Sequence, residues 1–228
     1  MGIFSNTPDY DRTRILEAAS RASDRARHRK ASALYRRVLS VEPNNMELHA
    51  RLAPLLAATG RRFDAWTSFE ASGRAAIAEN KIEQAAGIYR EAVRCLPREF
   101  HAWQMLARVE QLRGREQQAL DALLEGRRQF RRRSRRPQAI ALLRRALEIA
   151  EWNLDVILDL ARLLARSDQE SEARLLLERL AERSRGTSLR GVRGAQWRIA
   201  PTLVNSWRWI HAALTAGRDT HDPHGIHA

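Results

Sequence analysis

Ala85-Ala86-Gly87-Ile88-Tyr89-Arg90-Glu91-Ala92-Val93-Arg94-Cys95-Leu96-Pro97 reads as a helix that stops against a proline. Ala31, Tyr35 and Pro43 stand in the same arrangement, one shift of 54 positions earlier. Proline lacks an N–H and clashes with the preceding turn, so it closes a helix and does not extend it. The same shift lays Asn44 to Pro97 over Arg98 to Glu151 without a gap, placing Leu52 on Leu106, Ala53 on Ala107, Gly60 on Gly114, Ala65 on Ala119, Ala85 on Ala139 and Ala92 on Ala146. Small residues recur where helices must touch. Self-similarity of this length marks stacked helices that bury their apolar faces only against neighbours, and it leaves an extended surface for holding other molecules.

Outward from this stretch, apolar periodicity and caps predict helices over about Thr7 to Arg27, Lys30 to Val41, a third capped by Asn44 or Asn45 and ending before Gly60, then Arg62 to Glu79 and Ile82 to Leu96. They continue over about Phe100 to Arg113, Glu116 to Arg133, Pro137 to Ala150, Leu154 to Arg166 and Gln169 to Arg183, with Ser167 or Asp168 as the last cap. Thr7-Pro8-Asp9 gives the first start signal, with Pro at the first helical position. Pro54 falls inside a helix and should kink it near Arg51.

Within each hairpin the small residue, the aromatic and the terminal proline, Ala31, Tyr35, Val38 and Pro43, then Ala85, Tyr89, Ala92 and Pro97, resemble the tetratricopeptide repeat. Gly73 and the set Trp103, Leu106, Ala107 and Gly114 fit its first-helix pattern, and the resemblance covers about residues 10 to 184. It implies an all-α, antiparallel helical-hairpin solenoid, a right-handed superhelix, whose groove binds peptides or protein faces without catalysis. Two departures stand out. The period holds three helices where the family unit has two, and the Lys and Asn pattern of a carboxylate clamp is absent.

The chain divides on this reading into a flexible N-terminus (1–8), the repeat array (9–184), a basic linker with a Trp-rich C-terminal helix (185–216) and a disordered tail (217–228). Ser184 to Gly194, rich in Gly, Ser and Arg, reads as linker or long loop. Pro201-Thr202 then starts a helix. Trp197, Leu203, Val204, Trp207, Ile210 and Leu214 form an apolar stripe, and Trp197, Leu203, Trp207, Trp209, Ile210 and Leu214 are the candidate docking or capping residues. That helix either caps the array or docks on a partner or a membrane surface.

Apolar residues make up 44% and charged residues 29% of 228, the balance of a folded helical protein. No apolar run approaches the ~18 residues of a membrane span, and the first residues lack the basic and apolar regions of a secretory signal. Cys95, the single cysteine, excludes an internal disulfide, and a reducing cytoplasm is the expected compartment. The formal net charge of +13 favours an acidic partner.

No catalytic motif is present, and neither a cofactor nor a metal site is expected. His221, His224 and His227 share a three-residue spacing but sit in the tail. The strongest charge feature is the run Arg127, Arg128, Arg131, Arg132, Arg133, Arg135 and Arg136, which contains no acid and should form two rows at a helix end. The first copy holds Gly73, Arg74, Ile77, Ala78, Glu79, Lys81 and Ile82 there, so the scaffold does not require arginine. An acidic protein surface or peptide is the expected partner, with nucleic acid and a peripheral membrane as alternatives. Phe130 is the one aromatic in the run, fewer than the stacking platforms that nucleic-acid grooves use. If one helix of each copy lines the groove, its inward positions are Glu47, Gln104, Arg108, Gln111, Asp155, Arg162 and Arg166. Because three helices per period reverse direction between copies, equivalent residues need not share a face.

Overall fold

The computed structural model describes residues 11–216. The N-terminal segment 1–8, the Thr7-Pro8-Asp9 start signal and the 217–228 tail with its three histidines therefore lie outside the described residues. Those described form twelve α-helices and one 3-10 turn. They divide into two compact units, one ending at Ala119 and one beginning at Leu120.

The first unit contains α1 (Arg12–Asp24), α2 (His28–Leu39), α3 (Met46–Ala58), α4 (Arg62–Ala78), α5 (Ile82–Cys95) and α6 (Phe100–Leu112). Each of these helices packs on the next, and α3 also reaches α5. Val38, Leu56, Phe69, Tyr89 and Val109 are its fully buried large side chains. The helix α7 (Glu116–Gln129) crosses the division. In the second unit a 3-10 turn (Arg133–Arg135) leads into α8 (Arg136–Ile149), α9 (Leu154–Ala165), α10 (Glu170–Arg183), α11 (Gly186–Ile199) and α12 (Leu203–Thr215). Packing again runs from neighbour to neighbour, around Leu123, Leu142, Leu143, Ile157, Leu164 and Leu177. The all-α helical-hairpin class is as expected.

The 54-position shift governs the backbone more closely than the side chains. It carries the start of α3 to that of α6, both ends of α5 to those of α8, and both ends of α7 to those of α10. Left-handed residues recur in the same way: Gly60 at φ 80°, Gly114 at 69° and Asp168 at 60°, and separately Ala26 at 53° and Asn80 at 57°. Each of the first three closes its helix with the same bond, Arg61 N–H to Leu56 O (2.9 Å), Arg115 N–H to Glu110 O (2.9 Å) and Gln169 N–H to Leu164 O (3.0 Å). This is the Schellman closure, in which a left-handed residue turns the chain and satisfies an orphan carbonyl.

The first described helix starts at Arg12, with the Asp11 side chain accepting from Arg14 N–H. Three expectations need correction. Asp168 ends α9 and does not cap α10, because its left-handed backbone belongs to the Schellman closure. The helix α7 stops at Gln129, not Arg133, and Phe130 turns inward and is buried. Most consequentially, Gly186 to Ile199 is helical where a linker was expected. Three glycines in a helix cost roughly 1 kcal/mol each against alanine, but burial outweighs propensity here: Val192, Gly194 and Gln196 are buried. Glycine at 194 also admits Trp209 of α12, since a Cβ there would lie 3.3 Å from the indole nitrogen. The third copy is thus complete. The helix α3 runs on through Pro54.

Candidate functional site

The arginine run does not form two helical rows, because α7 ends before most of it. Arg127 turns onto α9: its guanidinium donates to Asp159 Oδ1 at 2.6 Å and its Nε lies 2.5 Å from Oδ2, with both side chains largely covered. Arg128 pairs with Glu125 at 2.9 Å. The Arg131 Nε donates to the Arg128 carbonyl at 3.1 Å. Arg136 donates to the Arg166 carbonyl at the end of α9. That leaves Arg132, Arg133 and Arg135, exposed on the 3-10 turn and its approach, with no acid in ion-pair contact among the described residues. Phe130 is buried and offers no ring to a ligand.

The run therefore has two jobs, and stability measurements should separate them. Arg127→Ala should cost about 2 kcal/mol, because it leaves Asp159 covered with only Arg162 at 3.9 Å. Alanine at Arg132, Arg133 and Arg135 should change the unfolding free energy by about 0.5 kcal/mol or less in urea titrations, as expected for exposed side chains.

The groove set divides between the units. Glu47, Gln104, Arg108 and Gln111 belong to the first, and Asp155, Arg162 and Arg166 to the second. Glu47, Arg108, Asp155, Arg162 and Arg166 are exposed, while Gln104 and Gln111 are half-covered. Glu47 binds Arg51 one turn on at 2.6 Å, and Arg162 leans toward Asp159.

At the end of the second unit, α12 packs on α11 through buried Ala212 and Ala216 and half-buried Trp209. Trp209 stacks on Trp197 of α11, with centroids 5.8 Å apart and planes at 14°. Trp197 thus sits on α11, while Leu203, Trp207, Ile210 and Leu214 of α12 are exposed on the far side. Val204, also part of the expected stripe, is exposed with them.

Catalytic chemistry finds little to work with. Burial raises the Cys95 thiol to about 11, with the neighbouring Glu91 adding to the shift, so it is a poor nucleophile at neutral pH. No group of three His, Cys, Asp or Glu residues among those described is placed to hold a metal. None of the described helices is long and apolar enough to cross a membrane.

Residues 133–193, which span the 3-10 turn, α8, α9, α10 and the first half of α11, match the family model described as tetratricopeptide repeat. The chain is a helical-repeat protein with a tetratricopeptide repeat segment. Such repeats are generally non-catalytic scaffolds for protein interaction. The resemblance was expected over about residues 10 to 184; the matched segment begins at residue 133 and includes Gly186 to Arg193, within the part read as linker. No curated protein matches the sequence. Solved structures similar to this repeat protein include a repeat protein from Bacteroides fragilis (11% identity, 90% of this chain and 99% of that one, TM-score 0.46). Another comes from Parabacteroides merdae (13%, 92% and 94%, TM-score 0.33), and a third is MamA from Desulfovibrio magneticus (14%, 75% and 93%, TM-score 0.27). All three TM-scores lie below one half.

Proposed function

We propose that this repeat protein is an adaptor that holds a protein partner through an acidic surface or peptide, with Arg132, Arg133 and Arg135 as the principal contact. The observation that carries this reading is the exposed guanidinium cluster on the turn before α8, which has no acid in ion-pair contact among the described residues, whereas Arg12, Arg90, Arg127 and Arg144 each meet a carboxylate. Guanidinium forks pair bidentately with carboxylates. The burial of Phe130 favours a protein over a nucleic acid, because no stacking ring accompanies the charge.

The test is in-cell crosslinking of the full chain, compared with a variant carrying Arg132→Glu, Arg133→Glu and Arg135→Glu. The wild type should yield one or more crosslinked proteins whose capture survives nuclease treatment and weakens with salt, and the variant should lose them while keeping its helical circular dichroism. Unchanged capture by the variant, or capture abolished by nuclease, would refute the reading.

A further inference from the structure

We infer that the outer face of α12 is a docking site for an amphipathic helix of another protein, one whose apolar stripe is flanked by acids. Leu203, Trp207, Ile210 and Leu214 follow a 4-3-4 spacing, which puts them on a single seam of the kind one helix presents to another. Such a seam in water is an exposed apolar patch, and patches of this kind mark interaction sites.

The chain itself says what belongs on this face. The helices α3, α6, α9 and α12 share a start, with Asn45, Glu99, Asn153 and Thr202 each capping through its side chain. Counted from those caps, Ile210 occupies the position of Ala53, Ala107 and Ala161. The three alanines are 0%, 1% and 0% exposed, whereas Ile210 is 43% exposed. The positions of Leu203, Trp207 and Leu214 are half-covered in every earlier copy, but in α12 they are 91%, 68% and 74% exposed. The following helix packs against α3 and α9, as α4 and α10 respectively. On α12 no following helix is present among the described residues.

Charge decides between occupants. From Ser184 to Ala216 the chain has five arginines, at 185, 190, 193, 198 and 208, and no Asp or Glu. Arg193 and Arg208 are close enough for their like charges to oppose each other, and Glu178 offsets this only in part. A second copy of α12 would bring further positive charge against this surface and no acid. A helix with Glu or Asp beside its stripe would bury the seam and bring acid to the one arginine of α12, Arg208, which is exposed. A helix also fits better than a bilayer, since α3 and α9 each have the following helix packed on them.

The surface extends the adaptor reading and rests on other residues, so the triple charge reversal at Arg132, Arg133 and Arg135 serves as a control that should leave this binding unchanged. The probe is a synthetic amphipathic helix of about four turns, with Leu at heptad positions a and d and Glu at e and g, titrated onto the full chain and followed by Trp fluorescence. The expected result is saturable binding with a blue shift. Combined Trp207→Glu and Leu214→Glu should weaken it at least tenfold, as should Lys in place of Glu in the peptide. Both substituted side chains point to solvent, so the variant's thermal melt should match the wild type. Three results would each overturn the inference: no binding, or equal binding of the Glu and Lys peptides; sedimentation as a dimer that Trp207→Glu disperses, which would assign the face to a second copy; and Trp207-dependent binding to phosphatidylserine vesicles without peptide binding, which would assign it to a membrane.

Discussion

Replacing Glu110 by Ala should destabilise the protein by about 3 kcal/mol, more than any exposed ion-pair substitution. Glu110 is a buried acid at the end of α6, and its two oxygens accept from Arg90 and Arg113, each at 2.7 Å. Its side chain is 3% exposed and that of Arg113 6%, whereas Arg90 is about half exposed. Removing one partner of a buried pair leaves the other charge uncompensated, which is why the usual cost is about 3 to 5 kcal/mol. The lower end applies because Arg113 keeps Glu83 of α5, whose carboxylate its guanidinium holds below the usual range. Urea unfolding of the full chain measures the loss, and Glu110→Gln, which retains an acceptor, should recover part of it. A cost of only about 0.5 kcal/mol, typical of surface substitutions, would mean that water replaces the carboxylate. The sign of the acid response follows from the same network. Glu83 has a depressed pKa, so its contribution is complete above the ordinary glutamate value of about 4.3 and is lost as pH falls through its lower folded value.

The second large effect is expected at Gly73→Ala. In a solvent-facing helix this change would stabilise by roughly 1 kcal/mol. At position 73 in α4 a Cβ would lie 2.6 Å from the Tyr89 hydroxyl oxygen of α5 and closer still to its ring. Tyr89 is fully buried, its hydroxyl has no hydrogen-bond partner among the described residues, and burial raises its pKa to about 12. The ring therefore has little room to yield, and overpacking of this kind costs about 1 to 3 kcal/mol. Tyr89→Leu should relieve the clash, so the double variant Gly73→Ala with Tyr89→Leu should lose clearly less than the sum of the singles. Strict additivity in that cycle would show that the two residues do not oppose each other.

This contact explains why much of the fold was legible in sequence. Glycine, aromatic and proline at repeated offsets are local records of close helix approach, and Asn45, Asn153 and Thr202 are local records of helix starts. Boundaries set by such residues were read to within a residue or two. Boundaries set by burial were not. Arg131 to Arg133 have good helix propensity, yet Phe130 turning inward ends α7 before them. Three glycines argued against a helix at 186–199, yet Trp209, on the next helix, needs the space that Gly194 provides. The candidate surfaces divide in the same way. The apolar seam of α12 follows from helical spacing, but the capture of Arg127 by Asp159, 32 positions away, could not be read from the run itself.

Neighbour-to-neighbour packing also bears on how the chain opens. Within the second unit α9 is held by α8, α10 and α11, whereas among the described residues the main packing of α12 is on α11. Amide exchange should therefore be graded, fastest in α12, where opening breaks one interface. A ligand seated there would slow exchange through α11 as well, because opening α12 would then also have to break the ligand contact. Affinity at that edge is then partly a measure of fraying: a sequence change deep in the α11 contact, such as at Gly194, would weaken binding without touching the ligand.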